Sequence, residues 1–487
     1  MKQVLQALRS GEIEAADVPC PRVSPGHLLI QTRASLISAG TERVIVEFSK
    51  ASLAAKARQK PERVKQVLDK IRTDGLLPTL EAVFARLDQP MPLGYCNAGV
   101  VVEIGRGVEN FKPGDGVVSN GQHAEIVNVP VNLCAKTPDG VPDEQAAFTV
   151  LGAIALQGIR LLNPTLGESI VVTGLGLVGL LTVQLLVANG CRVLGIDIDP
   201  SRLKLAEQFG AQAVDLSAGA DAVASATAFS QGRGVDGVLV TASAKDDNIM
   251  HESAQMCRKR GRVVLVGAVG LNLHRSDFYE KELTFQVSCS YGPGRYDPSY
   301  ESGGQDYPLS FVRWTEQRNF EAVSKLMESG RLDVNSLISH RIKQSNAAEA
   351  YRLLIDGRDV LGIVLTYPDK EVSRAQVVTL RRPSATMEPA GKIVVGMIGA
   401  GNFAKAVLLP ALKRCNVEMH TIASAGGVTA LHAGRKFGFR QTTTDPNGLL
   451  SDPAINLTVI ATRHDAHARL AVDSLEAGKH TFVGKPL

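Results

Sequence analysis

A run of β-branched residues from Ser169 breaks into Gly174-Leu175-Gly176-Leu177-Val178-Gly179 and resumes as an apolar stretch to Ala188. This pattern constrains the chain more than any other. The first glycine permits a tight turn, the second lets the backbone approach a pyrophosphate, and the third lets the helix close on the strand. A helix opening at that point also turns free N–H groups toward an anion. The stretch Ile170–Ala188 is about as long as the roughly 20 apolar residues of a membrane helix. Its β-branched start and its glycine punctuation predict a buried strand, a turn and a buried helix instead. Asp197 ends the next strand, close to the spacing of about 20 residues expected of a ribose-binding acid. Its carboxylate accepts from ribose hydroxyls and repels a 2′-phosphate, which favours NAD. Arg202, on the following helix, is the residue that would offset that preference by pairing with a 2′-phosphate. Leu177, Val178, Ala242 and Gly267 complete the expected cofactor-binding set of this first site.

The same alternation organises the rest of the chain. Strands are expected at Ser169–Thr173, Arg192–Asp197, Gly237–Thr241 and Arg262–Val266, with helices between them, the pattern of a doubly wound parallel sheet. Asp199-Pro200 predicts a helix start, and Gly210 its end. Residues 1–150 read instead as short strands with Gly/Pro punctuation, interrupted from Lys50 to Leu87 by a polar stretch that suits two inserted helices. Residues 291–367 return a strand to that β-rich part. The stretch 368–391 has three prolines and little periodicity, and reads as a linker. A second strand-turn-helix series occupies 392–487, with Gly399-Ala400-Gly401-Asn402-Phe403-Ala404 as its phosphate turn. Its next strand ends at Ala423-Ser424 without an acid, so NAD and NADP stay open there. The fold class is therefore α/β: a β-rich domain and a dinucleotide-binding domain (151–290), followed by a second one.

Charge and composition exclude several partners. A net charge of +4 over 487 residues is too weak to argue for nucleic acid or an anionic membrane surface. Seven cysteines, none in a CxxC pair, give no zinc loop and no dithiol redox site. Scattered thiols and an N-terminus without an apolar h-region fit a reducing, cytoplasmic setting. The partner expected is a small-molecule substrate; a homo-oligomer stays open.

The order of β-rich domain, LGAIALQGIR, GLGLVG and IDIDPSRLKLAEQFGA resembles the medium-chain alcohol dehydrogenases over residues 1–367. That resemblance implies a GroES-like catalytic domain around a Rossmann domain, with substrate and nicotinamide in the cleft between them. The departures are chemical. Ser38-Ala39-Gly40-Thr41-Glu42 stands where zinc-dependent members carry Cys before G-T-D, and Gly94-Tyr95-Cys96 where they carry Gly-His-Glu. Phe148-Thr149-Val150 lies near the third ligand. Zinc needs N, S or carboxylate donors, so no zinc and no other metal is expected. Without that Lewis acid a hydroxyl must move the proton. Tyr95 is the first choice, with Ser38, Thr41 and Glu42 beside it; filling of a vacated pocket is the competing reading. Cys96 or His123 alone reads as packed or solvent-facing. The loop Tyr291–Asp297, with an arginine and two tyrosines, is equally a candidate substrate contact and a surface turn.

Residues 392–487 resemble the N-terminal domain of the Gfo/Idh/MocA oxidoreductases, through the glycine turn, LLPAL, Lys436-Phe437-Gly438, Ile460-Ala461-Thr462, His467 and Gly484-Lys485-Pro486. Lys485 matches the family's lysine beside nicotinamide and substrate, while Gly484 replaces the usual acid; Thr462 joins the cofactor set. His464 and His467 read as a helix-start pair, with no third donor for a metal. The family's following α/β domain does not follow Leu487, which suggests a fragment of a longer chain or a site that only binds nucleotide. Together the two modules resemble oxidoreductases of bacterial surface-polysaccharide synthesis. The function expected is hydride transfer at a hydroxyl or carbonyl of a sugar or sugar nucleotide. The alternatives are a zinc-free quinone or enone reductase, and a dinucleotide-binding scaffold without turnover.

Overall fold

A computed structural model describes residues 1–50, 88–357, 360–381 and 392–484. The expected inserted helices up to Leu87, the last part of the expected linker and Lys485 lie outside the described residues.

Both glycine turns sit at the carboxyl ends of parallel strands. In the first parallel sheet the strands run 212–215, 192–197, 169–173, 235–240, 257–265 and 284–287 from edge to edge, all parallel. In chain order this is 3-2-1-4-5-6, with the crevice at the switch between Ser169–Thr173 and Val235–Val240. Strand Ser169–Thr173 and helix Leu177–Ala188 are largely buried, which is why the apolar run is core. Asp199 caps helix Pro200–Gln208 by accepting from Ser201 N at 2.9 Å, and Gly210 beyond it has φ +92°.

The second series repeats the scheme. Strands 441–443, 417–423, 393–398, 457–460 and 480–483 lie side by side and parallel. The linker expectation needs a correction: Val377–Thr379 adds antiparallel to this sheet beside Gln441–Thr443. Its β-branched QVVT pattern suits an edge strand, and prolines bound it instead of interrupting it. The helix after the second turn widens into a π-turn over Ala404–Leu408. Pro410 stands two residues beyond it, and having no N–H it cannot close the regular ladder there.

The β-rich part forms a seven-stranded mixed sheet in which Ile338–Lys343 and Gly362–Thr366, from beyond the first parallel sheet, extend the edge beside His27–Ile37. Helix Thr149–Leu162 packs against Leu177–Ala188 and Glu316–Glu328. One apolar cluster runs through Leu28, Val117, Phe148, Leu175, Leu181 and Phe320, so the β-rich part and the first parallel sheet share a core. A small sheet of Lys2–Ala7, Ile13–Asp17 and Pro90–Pro92 is separate from the larger one but bridged to its margin, where Gln3 pairs with Ala124. It is covered by the second unit: Val428 and Leu431, on helix Val428–Phe437, pack with Leu5, Ala16 and Val18. Polar links ring that contact, among them Arg435 to Glu14 at 2.8 Å, Lys436 to Asp88 at 2.7 Å and Lys405 Nζ to Gln89 at 2.6 Å.

Candidate functional site

The first turn is built to keep backbone open toward a ligand. Gly174 has φ +90°, and a Cβ there would stand 2.6 Å from Ala242 Cα. Gly179 lets Gly174 O approach to where a Cβ would be only 2.0 Å away, and Gly267 does the same for Ala242 O at 2.0 Å. Ala242 and Gly267 therefore stand at neighbouring strand ends, packed edge to edge with the turn. Gly176 differs: its backbone is extended, φ −65° and ψ −173°, and nothing lies within 4 Å of a built Cβ. It precedes Leu177 and Val178 in the first turn of the helix, where free N–H groups meet an anion.

Asp197 sits where the spacing placed it, at the strand end, but does more than wait for a ribose. It is 8% exposed; Oδ2 accepts from Leu175 N at 2.5 Å, and Oδ1 from Ile198 N at 2.7 Å and Asp199 N at 3.0 Å. Three backbone donors use most of its lone pairs, so the carboxylate also staples the glycine turn to the strand end. Arg202 pairs with Asp199 at 3.1 Å.

The place read as a vacated metal site holds a hydrogen-bonded network. Glu42, 1% exposed, accepts from Ser38 N at 2.9 Å and from the Tyr351 hydroxyl, and faces His123 Nε2 at 3.3 Å. His123 Nδ1 meets Ser35 Oγ at 2.7 Å, which meets the Tyr367 hydroxyl at 2.8 Å. Half-buried Tyr95 donates to Thr41 Oγ1 at 3.2 Å. Burial pushes its phenol well above the usual range, Cys96 adding to the rise against hydrogen bonds from Ser38 and Thr41. Burial likewise pushes the Cys96 thiol well above its ordinary value, with Glu42 adding to it. A zinc site fits this donor set poorly: the thiol resists ionisation, and the carboxylate already accepts from Ser38 N and the Tyr351 hydroxyl. Among the described residues, a group that could hold a metal is His251, His274 and Asp277, with His251 Nδ1 2.9 Å from Asp277. It includes none of the residues around Tyr95. His123 is packed, one of the two readings its sequence allows, while Tyr351 and Tyr367 carry no sequence signal, because Tyr351 lies 309 residues from Glu42 and no local pattern links them.

The loop Tyr291–Asp297 is held by its own residues. Arg295 pairs with Glu301 at 2.5 Å, Tyr307 donates to Asp297 at 2.5 Å, and buried Tyr291 accepts from Asn120 Nδ2 at 3.2 Å. Beside it, fully buried Glu316 has no hydrogen-bond partner on either carboxyl oxygen. Desolvation, with Glu301 adding and Arg295 opposing, pushes it from about 4.5 up to about 8. The native chain then keeps a proton that the unfolded chain loses, so stability falls as pH rises from about 4.5 to about 8. Glu316→Gln is expected to raise Tm by about 2–5 °C at pH 8.5. Near pH 4 it should change Tm little; calorimetry at both pH values checks it.

The second turn repeats the first. Gly399 has φ +106°, a Cβ on it would meet Ala461 O at 2.4 Å, and its N–H donates to Ala423 O at 2.9 Å, as Gly174 N does to Ile196 O at 2.8 Å. Gly401 is open, and Asn402 and Phe403 are exposed. Thr462 O meets His467 Nε2 at 3.1 Å, and the His467 ring stands edge-on to His464 with centroids 5.4 Å apart. A cavity of ≈ 770 Å³ opens between Gly399 and residues of the first module.

Comparison with known proteins agrees with both halves. Residues 178–301 match the model of the zinc-binding dehydrogenases, and residues 393–487 that of an oxidoreductase family with an NAD-binding Rossmann fold, Gfo/Idh/MocA. The chain is 29% identical over 248 residues to (R,R)-butanediol dehydrogenase of Bacillus subtilis, covering 43% of this chain and 71% of that protein. It is 27% identical over 274 residues to D-guloside 3-dehydrogenase of Escherichia coli, covering 54% and 73%. The crystal structure of 2R,3R-butanediol dehydrogenase from Bacillus subtilis superposes with a TM-score of 0.56 at 22% identity, covering 75% of this chain and 99% of that one. The chain is thus an NAD(P)-dependent oxidoreductase of two modules, a GroES-like and Rossmann pair similar to the medium-chain alcohol dehydrogenases followed by a Rossmann domain similar to that of the Gfo/Idh/MocA oxidoreductases.

Proposed function

We propose that the first module moves hydride between a nicotinamide cofactor, NAD in preference, and a CH–OH or C=O carbon of a sugar or sugar nucleotide, without catalytic zinc. The observation that carries this reading is Tyr95, a protonated phenol hydrogen-bonded to Thr41, at a position that the resemblance assigns to a metal ligand in the zinc enzymes. Bound nicotinamide supplies or accepts the hydride. Tyr95 gives its proton to the carbonyl oxygen as negative charge develops there. Thr41 Oγ1, which accepts from the phenol in the free enzyme, turns to donate to the oxygen that has lost its proton. Glu42, held by Ser38 N, Tyr351 and His123, keeps helix Ala39–Lys50 and so Thr41 in register with Tyr95. A phenol held protonated favours reduction of a carbonyl at neutral pH.

The relatives named as butanediol and guloside dehydrogenases support a hydroxyl-bearing substrate, and the two-module order supports a role in bacterial surface-polysaccharide synthesis. The test is NADH oxidation by the purified chain with a keto-sugar nucleotide, before and after chelation, with metal analysis of the same sample. Turnover unaffected by chelator in protein without stoichiometric zinc is expected. Zinc at one per chain whose removal abolishes turnover would overturn the zinc-free reading. Turnover only with quinones or enones would overturn the substrate class.

A further inference from the structure

The cavity above the second glycine turn is not built by the second module alone. Its wall includes Gly399, Ser424 and Thr444 on one side and Arg22, from the β-rich part, on the other. The segment carrying Arg22 is fixed against the second unit. The Thr444 hydroxyl donates to Cys20 O, and a Cβ on Gly427 would meet Pro19 O at 2.8 Å. Cys20 N in turn donates to Ala375 O at 2.9 Å, beside the edge strand of the second sheet.

Ser424 follows the strand end at which this fold places the adenosine ribose. Two ribose hydroxyls need an acceptor there, and a 2′-phosphate needs donors. The acid expected of an NAD site is missing from Ala423-Ser424. Asp445 is the carboxylate beside Arg22, and it is committed elsewhere. It caps helix Pro446–Ser451, accepting from Asn447 N and Gly448 N at 3.1 Å each, and it does not line the cavity. Ser424 Oγ already accepts from Ala430 N at 3.1 Å, which leaves its O–H to donate. Arg22 spends one Nη1 contact on Asp445 at 3.2 Å; a guanidinium carries five N–H donors, and its side chain is half exposed beside the cavity.

We propose that the second site takes NADP(H), and that its 2′-phosphate is read by Arg22, supplied from the first module. The proposal rests on the reading that the second glycine turn binds a dinucleotide. Arg22 is then a specificity-determining residue of a site whose turn lies almost 380 residues away (22 to 399). The first site has the opposite arrangement, since Asp197 stands at the corresponding strand end.

The test is equilibrium titration of the full chain with NADPH and with NADH. Gly401→Glu, whose side chain starts in open space, identifies the class of binding that belongs to the second turn. For that class the native chain should prefer NADPH. Arg22→Gln should raise its NADPH Kd about 10- to 100-fold, with NADH changed less than twofold. Arg22→Lys should recover part of the loss. A second measurement needs no turn variant: 2′,5′-ADP should compete better than 5′-AMP in the native chain and lose that advantage in Arg22→Gln. Equal weakening of both dinucleotides, or a second-turn class that prefers NADH, overturns the proposal and leaves dinucleotide binding standing. If folded Gly401→Glu binds as much NADPH and NADH as the native chain, the reading beneath it falls as well.

Discussion

Gly174→Ala is expected to weaken NADH binding at the first site by about 100-fold or more, and to lower Tm. Two costs combine. The backbone there has φ +90°, which a side-chain-bearing residue adopts at a cost of about 1–3 kcal/mol. The new methyl would also stand 2.6 Å from Ala242 Cα and 2.7 Å from Ala242 N. That neighbour cannot withdraw easily, because Ala242 N donates to Thr173 O at 3.0 Å and Gly267 is packed on its other side. The turn must shift instead, carrying the N-terminus of Leu177–Ala188 away from the pyrophosphate. Gly176→Ala is the control: its Cβ enters open space, so Tm should hold while the methyl crowds the phosphate. Fluorescence titration with NADH and thermal melts of both variants separate the two effects. Native affinity in Gly174→Ala would remove the turn from the site.

Tyr95→Phe is expected to lower kcat for carbonyl reduction by about 10²- to 10⁴-fold. The NADH Kd should stay within twofold, and Tm within a degree or two. The ring is retained, so packing on the shared core survives; what is lost is the hydroxyl that donates to Thr41. Since burial holds the phenol well above its usual range, the native reduction rate should show no loss of a proton donor between pH 6 and 9. A histidine donor would titrate inside that window. Stopped-flow measurement of NADH oxidation under single-turnover conditions isolates the chemical step. A variant that keeps a third or more of the native rate would reduce Tyr95 to a residue filling space.

Much of the scaffold was legible because its determinants are local. A glycine turn between a β-branched strand and an apolar helix is readable within about twenty residues, and so are the Asp199-Pro200 start and the Gly210 stop. The site chemistry was only half legible. Ser38, Thr41, Glu42 and Tyr95 stand out as departures from a pattern, but two of the groups around Glu42 are remote in sequence: Tyr351 comes from helix Ala347–Asp356 and His123 from the bend before strand Ile126–Pro130. Asp197 shows the limit of spacing arguments. Its position follows from the turn, whereas its bonds to Leu175 N, Ile198 N and Asp199 N depend on which way the carboxylate turns. Val377–Thr379 reads as linker in the sequence because three residues are too few to show a period; pairing with Gln441–Thr443 makes them a strand. Arg22 carries no signal in its own neighbourhood.

The covering of the small sheet has a practical consequence for anyone who divides this chain. Cutting between the modules would strip Val428 and Leu431 from Leu5, Ala16 and Val18, leaving an oily scar beside the unpaired edges of a three-stranded ribbon. Such a surface invites self-association. A dehydrogenase half expressed by itself should clump where the intact polypeptide stays dispersed, unless charged side chains replace Leu5 and Val18.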